Sequence, residues 1–532
     1  MRLSQLVRRV AFSLSLFAGV LCACPLRGQA QDLDGLLERA RAAQSSGEYA
    51  EAAAIYARAT TLAPATPELW SNRGVMEYLA GEIGPSVISL KHALRLRPTL
   101  YIPMLFLGKG YIQSGKPELA VPYLNKAHTL QPSDPEVLLT LAKANAVLNK
   151  PREAESAYAT AARLTPDNPA AWLGLGTASL NVIAADGQDL ATIQPQSVWA
   201  RALFADELLA QGRPLEAVDT YNRALAKATP AQHATLARTV SWLESHPDLF
   251  PIPANSQTAL QKLDEQLSSA LNKASLAACD ATAALLDAAA CAFWAGDYEH
   301  SAAQADEALK RSPQEPQALY WSIKSNERMA VAALARFEDL APHSAASFDM
   351  VGDLYRDQRQ MDSALGEYRK ALEVDPHDPG ALLGSVVADI GTSRLDEAAA
   401  TDRLALADRP QDPQLNLLMA EILAANFHYV EARPYLAKCA AGPPEMQPRV
   451  HLLLAHADAK EGSIEAAIRE YQLALPGDQD GSIHFQLSRL YRKTGNVVLA
   501  QKAEDQAKAL IAQRRANANI EMREMTGGSS LQ

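Results

Sequence analysis

Histidines and cysteines are the residues best equipped for chemistry here, so their placement is the first test for an active site. His343, His377, His451 and His484 fall near expected loops or helix starts, without the spacing that metal ligands need. No His-Glu-x-x-His, phosphate-loop or Gly-x-Ser-x-Gly run occurs. Gly174-Leu175-Gly176 is half of a dinucleotide fingerprint and has no strand before it; a place in a helix crossing explains it better. Asp478-Gln479-Asp480-Gly481 opens as a calcium loop would, but the further ligands and the distal bidentate glutamate are missing, so a turn is the plainer assignment. No catalytic residue, cofactor site or metal site is assigned, and the binding residues stay unknown.

Five cysteines are present, and Cys22 and Cys24 belong to the N-terminal segment. Cys279, Cys291 and Cys439 remain. On one helix, Cys279 and Cys291 would stand ~18 Å apart, beyond disulfide reach. With Cys279 in a loop before that helix, a bridge becomes feasible, so their pairing is open. Small buried residues are the default for all three.

The segment that carries Cys22 and Cys24 reads as an export signal. Arg2, Arg8 and Arg9 precede an apolar stretch from Val10 to Cys24, too short for a comfortable membrane span. Gly28-Gln29-Ala30 offers small residues for cleavage after Ala30. Leu21-Cys22-Ala23-Cys24 offers lipidation of Cys24 as an alternative, and an uncleaved anchor is the third. The expected location is therefore exported, periplasmic or secreted, with membrane attachment only by Cys24 lipidation or an uncleaved signal. The chain has 532 residues and a net charge of −11. Removing Arg2, Arg8, Arg9 and Arg27 with the signal makes it more acidic still. Phosphate backbones are bound by neutralising Lys and Arg, so nucleic acid is excluded as an expected partner.

Helices must position everything else, and a period shows which. Pro64, Pro98, Pro132 and Pro166 are 34 residues apart, as are Pro376, Pro410 and Pro444. Five residues before each stands Ala59, Ala93, Ala127, Ala161, Ala371, Ala405 or, in the last place, Cys439. In one unit, Leu107 and Tyr111 share a face of a first helix, Gly115 ends it, and Ala120, Leu124 and Ala127 stripe a second. Gly108 and Ala120 are small where the two helices cross. Pro132 opens the turn into the next unit, where it breaks no helical hydrogen bond.

These spacings closely resemble the tetratricopeptide-repeat (TPR) family over most of the mature chain. Trp70-Gly74-Gly81-Ala93, Trp172-Gly176 and Gly352-Tyr355-Ala364-Tyr368-Ala371-Pro376 carry the likeness. The resemblance implies an all-α superhelical solenoid of about eleven helix-turn-helix repeats in two arrays, with an irregular helical joint. Tyr56, Tyr158, Tyr221, Tyr368 and Tyr471 share one phase of the second helix and are expected in the core. Trp70 and Trp172 are expected to be structural, and Tyr320-Trp321 either structural or at the border of a groove. Glu504 takes the place of a core aromatic in the last unit, as suits a capping helix. A narrower resemblance, carried by Leu319-Tyr320-Trp321, Ala330–Ala335 and Gly352-Asp353-Leu354-Tyr355, is to exported TPR proteins of acidobacteria; it implies architecture and an envelope setting only.

The expected layout is a signal peptide over 1–30 and an N-terminal array over 31–230, with an insertion near 181–197 that is a loop or a lengthened helix. An irregular joint over 231–280 follows, with a helical stretch from Thr258 to Lys273. A second array over 281–512 and a flexible tail over 513–532 complete it. The family's peptide clamp uses Lys and Asn on first helices. Leu36 to Gln44 has neither, and Arg39 and Arg41 face different directions, so that activity is not expected. The function implied is a non-catalytic scaffold that holds a peptide or protein client from the envelope or the secreted set on its concave surface. An accessory or regulatory subunit of an envelope enzyme or assembly complex is the alternative.

Overall fold

The computed structural model describes residues 27–193, 195–246 and 285–525, with Gln266 and Ser269 between them. Most of the expected signal, the Thr258–Lys273 stretch and Cys279 lie outside these residues. The described chain is helical throughout and divides into two compact units, 1–340 and 341–532.

Unit 1 runs through α1 (Arg27–Ser45), α2 (Tyr49–Leu62), α3 (Pro67–Leu79), α4 (Ile83–Leu96), α5 (Tyr101–Gln113), α6 (Pro117–Leu130), α7 (Pro135–Val147) and α8 (Pro151–Leu164). It continues with α9 (Pro169–Ile193), α10 (Val198–Ala210), α11 (Pro214–Leu225), α12 (Pro230–Ser245), α13 (Leu285–Trp294), α14 (Tyr298–Arg311) and α15 (Pro316–Leu340). Unit 2 comprises α16 (Ala345–Asp357), α17 (Met361–Val374), α18 (Pro379–Gly391), α19 (Leu395–Asp408), α20 (Pro413–Ala425), α21 (Arg433–Lys438), α22 (Gln447–Glu461), α23 (Ile464–Ala474), α24 (Ser482–Lys493) and α25 (Val497–Met525).

The period sets how each hairpin starts and stops. Proline opens α3, α6, α7, α8, α9, α18 and α20, at the helix start where its missing N–H costs nothing. Asp134, Asp378 and Asp412 cap α7, α18 and α20 by accepting from the next two free backbone N–H groups. The phased alanines end the second helices: the carbonyls of Ala59, Ala93, Ala127, Ala161, Ala371 and Ala405 each accept the cap N–H. Between helices the chain turns through a left-handed residue at Gly47, Gly81, Gly115 and Asn149, then at Arg359, Ser393 and Phe427.

Small residues set the crossings. A Cβ on Gly74 or Gly108 would stand 2.6 Å from Cγ of Leu90 or Leu124. Ala120, Leu124 and Ala127 are fully buried, as their stripe predicts. The phased tyrosines are core: Tyr56, Tyr158, Tyr221, Tyr368 and Tyr471 are all buried. First helices also pack on one another, α3 on α5, α5 on α7 and α7 on α9, and α16 on α18 through to α22 in unit 2. Outside the split repeat described below, successive second helices show no packing of that extent among the described residues. First helices close together and second helices apart give each unit an inner layer made of first helices.

One repeat is split. The insertion near 181–197 is a lengthened helix, because α9 runs on to Ile193. Its own second helix does not follow. Instead, a Cβ on Gly176 would meet Cγ of Leu334 in α15 at 2.6 Å, the distance found at the Gly74 and Gly108 crossings. Ala330, Leu334 and Pro342 repeat the spacing of Ala120, Leu124 and Pro132. The second half of α15 is thus the second helix for α9, and α10–α14 are inserted between the halves.

The break between compact units accordingly falls at Leu340, not over 231–280. A helix within that segment shares a core with the helices after it: Leu236, Val240 and Leu243 of α12 cluster with Phe293 of α13 and Trp321 of α15. The tail also differs from expectation, since α25 carries helix on to Met525; residues 526–532 lie outside the description.

Candidate binding surface

The seam between first helices is where a client would meet charge. Lys109 of α5 pairs with Glu136 of α7 at 2.5 Å, and Lys143, one period later on α7, is exposed. Around them the inner layer of unit 1 is apolar: Ile112 and Leu139 are half-buried, while Val147 and Leu180 are 65% and 49% exposed. In unit 2 the same phase carries Asp353, Val387 and Glu421. Glu421 of α20 pairs with Arg449 of α22 at 2.5 Å, the same type of seam with its polarity reversed. Asp349 of α16 lies against Gly380 at the start of α18, and burial, with Asp353 and Asp378 nearby, pushes its carboxyl up to about 7.

Three buried polar knots underlie these surfaces. In unit 1, Arg152 of α8 donates to Asp186 of α9, Asp306 of α14 and Ser322 of α15, tying the inserted helices to the array. Glu155, one turn along α8, is buried beside it; burial, then Asp306 and Glu299, push its carboxyl up to about 8 against the pull of Arg152. Asp206 of α10 accepts from Tyr221, Tyr320 and Lys324, beneath a nest of Trp199, Trp321, Phe293 and Trp294. Tyr320 and Trp321 are therefore core, not a groove border. In unit 2, Asp402 is fully buried and neither oxygen finds a partner among the described residues.

Each candidate chemical residue has a structural place. Trp70 donates through its indole to the carbonyl of Pro64 and Trp172 to that of Pro166; Asn416 does the same to Pro410. The aromatic position thus pins the turn proline six residues before it. His377, His451 and His484 pair one by one with Asp408, Glu470 and Asp478, and His343 lies beside Phe348. Asp478 accepts from the His484 backbone N–H and ring, and Asp480 from the Ser482 N–H, so this run caps α24. No group of metal-ligating side chains converges among the described residues. Arg39 and Arg41 are exposed on α1. Cys439 is a buried free thiol that burial pushes up to about 11. Cys291 is disulfide-bonded, against the default of a small buried thiol, and Cys279 lies outside the described residues. No described helix is long and apolar enough to cross a membrane.

Sequence reasoning missed the Arg152 knot: Asp186 and Ser322 keep the repeat phase of Arg152, but Asp306 does not, and only tertiary packing brings the four helices together. Asp402 it could have found: the residue stands 34 after Tyr368, in the phase of the core aromatics.

Comparison with known families decides the architecture. One tetratricopeptide-repeat model matches residues 37–99, and a second matches 111–178 and 355–422. The chain is a tetratricopeptide-repeat protein. No curated protein sequence matches it. Among solved structures, the human IFIT1 dimer with m7Gppp-AAAA is similar at 14% identity, over 84% of this chain and 90% of that one, with a TM-score of 0.31. MamA from Desulfovibrio magneticus RS-1 is 17% identical over 32% of this TPR chain and 97% of its own, with a TM-score of 0.30. YrrB, described as a TPR protein with an unusual peptide-binding site, is 19% identical over 39% and 94%, with a TM-score of 0.27. Likeness at this level adds nothing to what the repeats establish.

Proposed function

We propose that this TPR protein is a non-catalytic scaffold of the bacterial cell envelope, holding a peptide or protein client on the inner layer of first helices. The observation that carries this is the seam of unit 1. There Lys143 stands exposed among Val147, Leu139 and Leu180, with Lys109 one repeat away. Apolar side chains left uncovered on a helical layer need a partner to bury them, and the exposed Lys143 among them favours a partner with an acidic residue beside its apolar ones.

The envelope setting rests on two supports. The N-terminal 30 residues have the pattern of an export signal. The disulfide at Cys291 suits an oxidising compartment, where such bonds persist.

The test is affinity capture from the envelope fraction with the mature chain, beside a Lys143→Glu/Val147→Glu double variant. Both side chains are exposed, so the variant keeps its fold. A partner held at fixed stoichiometry by the native chain and lost from the variant supports the reading. A partner retained equally by both moves the site off this layer.

A further inference from the structure

Interior junctions of the solenoid share one construction. The residue that opens a second helix leans on the first helix of the next repeat. Ile83 is 3.6 Å from where a Cβ on Gly110 would be, and Met361 is 3.8 Å from that place on Gly391. Tyr49, Leu395 and Ile464 hold the same place and pack from partly buried positions into their cores.

In the last repeat this place falls to Val497, the first residue of α25, and no described helix follows α25. Val497 is 70% exposed and Val498 beside it 78%. With Gln501, Lys502, Asp505 and Ala509 they form one open face along α25. An array that ends in solvent needs a polar outer face on its last helix. Glu504 supplies part of one, but the two valines do the opposite.

At the other end, α1 is a first helix with no described repeat before it. Gly35, Glu38, Arg39, Ala42 and Ser45 are exposed and fall on one face at helical spacing. Ala42 stands two periods before Gly110, in the place that receives Ile83 at an interior junction. A Cβ on Gly35 would meet nothing within 4 Å.

We propose that this open face of α25 receives α1 of a second copy, so that the solenoid continues from one molecule into the next. The junction repeats the interior one: an apolar or aromatic residue at the start of a second helix, laid on a first helix with a small residue at the receiving place. Glu38 and Arg39 bring opposite charges to Lys502 and Asp505, which fixes the register. Because each copy uses a different end, the contact is head-to-tail and can propagate. Its apolar area is small, so assembly depends on concentration.

Light scattering and sedimentation of the mature chain across a wide concentration range test this. The expected result is a weight-average mass that rises with concentration. Val497→Glu with Val498→Glu abolishes the rise, and so does Ala42→Arg, while thermal midpoints stay unchanged because all three side chains are exposed. Mixing the two variants restores a dimer, since each supplies the end that the other has lost. A monomer at every concentration overturns the proposal. So does association that survives Ala42→Arg but not the valine change, which would mean that α25 meets α25. Absence of rescue in the mixture overturns it as well.

Discussion

The two units follow the same 34-residue rule and differ in what they do with the positions the rule leaves free. Unit 1 has glycine or asparagine at its regular left-handed turns, at Gly47, Gly81, Gly115 and Asn149; unit 2 has Arg359, Ser393 and Phe427 at its first three and returns to glycine at Gly462 and Gly495. Unit 1 places lysines along its inner seam, and unit 2 places Asp353 and Glu421. A half-buried arginine with two carboxylate partners ties unit 1 together, whereas unit 2 buries Asp402 with no partner among the described residues. The period therefore governs shape, through small residues at crossings and prolines at turns. Charge, strain and burial of polar groups vary freely beneath it.

Arg152→Met should give the largest effect. It leaves the buried Asp186 and the half-buried Asp306 without their cation, and breaking a buried pair by removing one partner costs on the order of 3 kcal/mol. Where thermal unfolding resolves the two units, the transition of unit 1 should fall by several degrees and that of unit 2 should stay. A shift of both transitions together would mean that the units unfold as one, and the comparison would lose its basis.

Overpacking a crossing tests what the units have in common. Ala120 and Ala364 are both fully buried at the same phase of their second helices. A tryptophan at either place should cost about 1–3 kcal/mol, by forcing two helices apart. Similar losses in circular-dichroism melts would confirm that the crossings are equivalent. A loss at Ala120 alone would show that unit 2 is packed more loosely.

Asp402 gives the sharpest contrast in pH response. Burial pushes its carboxyl up from 3.8 to about 7, so the folded state holds the proton more tightly than the unfolded chain does. The stabilisation from that proton is complete below about pH 4 and is lost as pH rises toward 7. The midpoint of unit 2 should therefore decline across this window, and Asp402→Leu should remove part of the decline, leaving the part that Asp349, also pushed up to about 7, supplies. At neutral pH the same change should raise stability by about 1–3 kcal/mol, the cost of an unsatisfied buried polar group. Glu155 makes an equivalent contribution in unit 1, lost as pH rises toward about 8, and Glu155→Gln should flatten that slope without touching unit 2.

These cases mark how far the sequence could be read. Crossings and turns were legible because Gly108, Ala120 and Pro132 act within one hairpin, and a local constraint repeats whenever the hairpin does. The split repeat was half legible: Ala330, Leu334 and Pro342 keep the spacing, but a sequence scan does not say that Gly176, far upstream, is their partner. The Arg152 knot and the shared core of α12 and α13 were not legible, since their residues meet only through tertiary packing. The inner seam lay between. Lys109 and Lys143 are one period apart in the sequence, yet only the contact of α5 with α7 shows that this phase faces a neighbouring first helix.

The smallest effect is expected at Phe427. Its φ of +62° places a bulky side chain in the left-handed region, where a Cβ meets the following carbonyl at a cost of roughly 1–2 kcal/mol. The ring is 73% exposed and recovers little by packing, although its edge meets Tyr429 at 6.3 Å. Gly115, in the corresponding turn of unit 1, adopts the same conformation without that cost. Phe427→Gly removes the strain but frees the unfolded chain, which offsets part of the gain. The net change in unit 2 should be a stabilisation of a few tenths of a kcal/mol to about 1 kcal/mol, read as a small rise in its denaturant midpoint with an unchanged slope. If unit 2 is instead destabilised, the exposed ring is held by contacts stronger than its exposure implies. The difference between the turns of the two units would then be one of packing and not of strain.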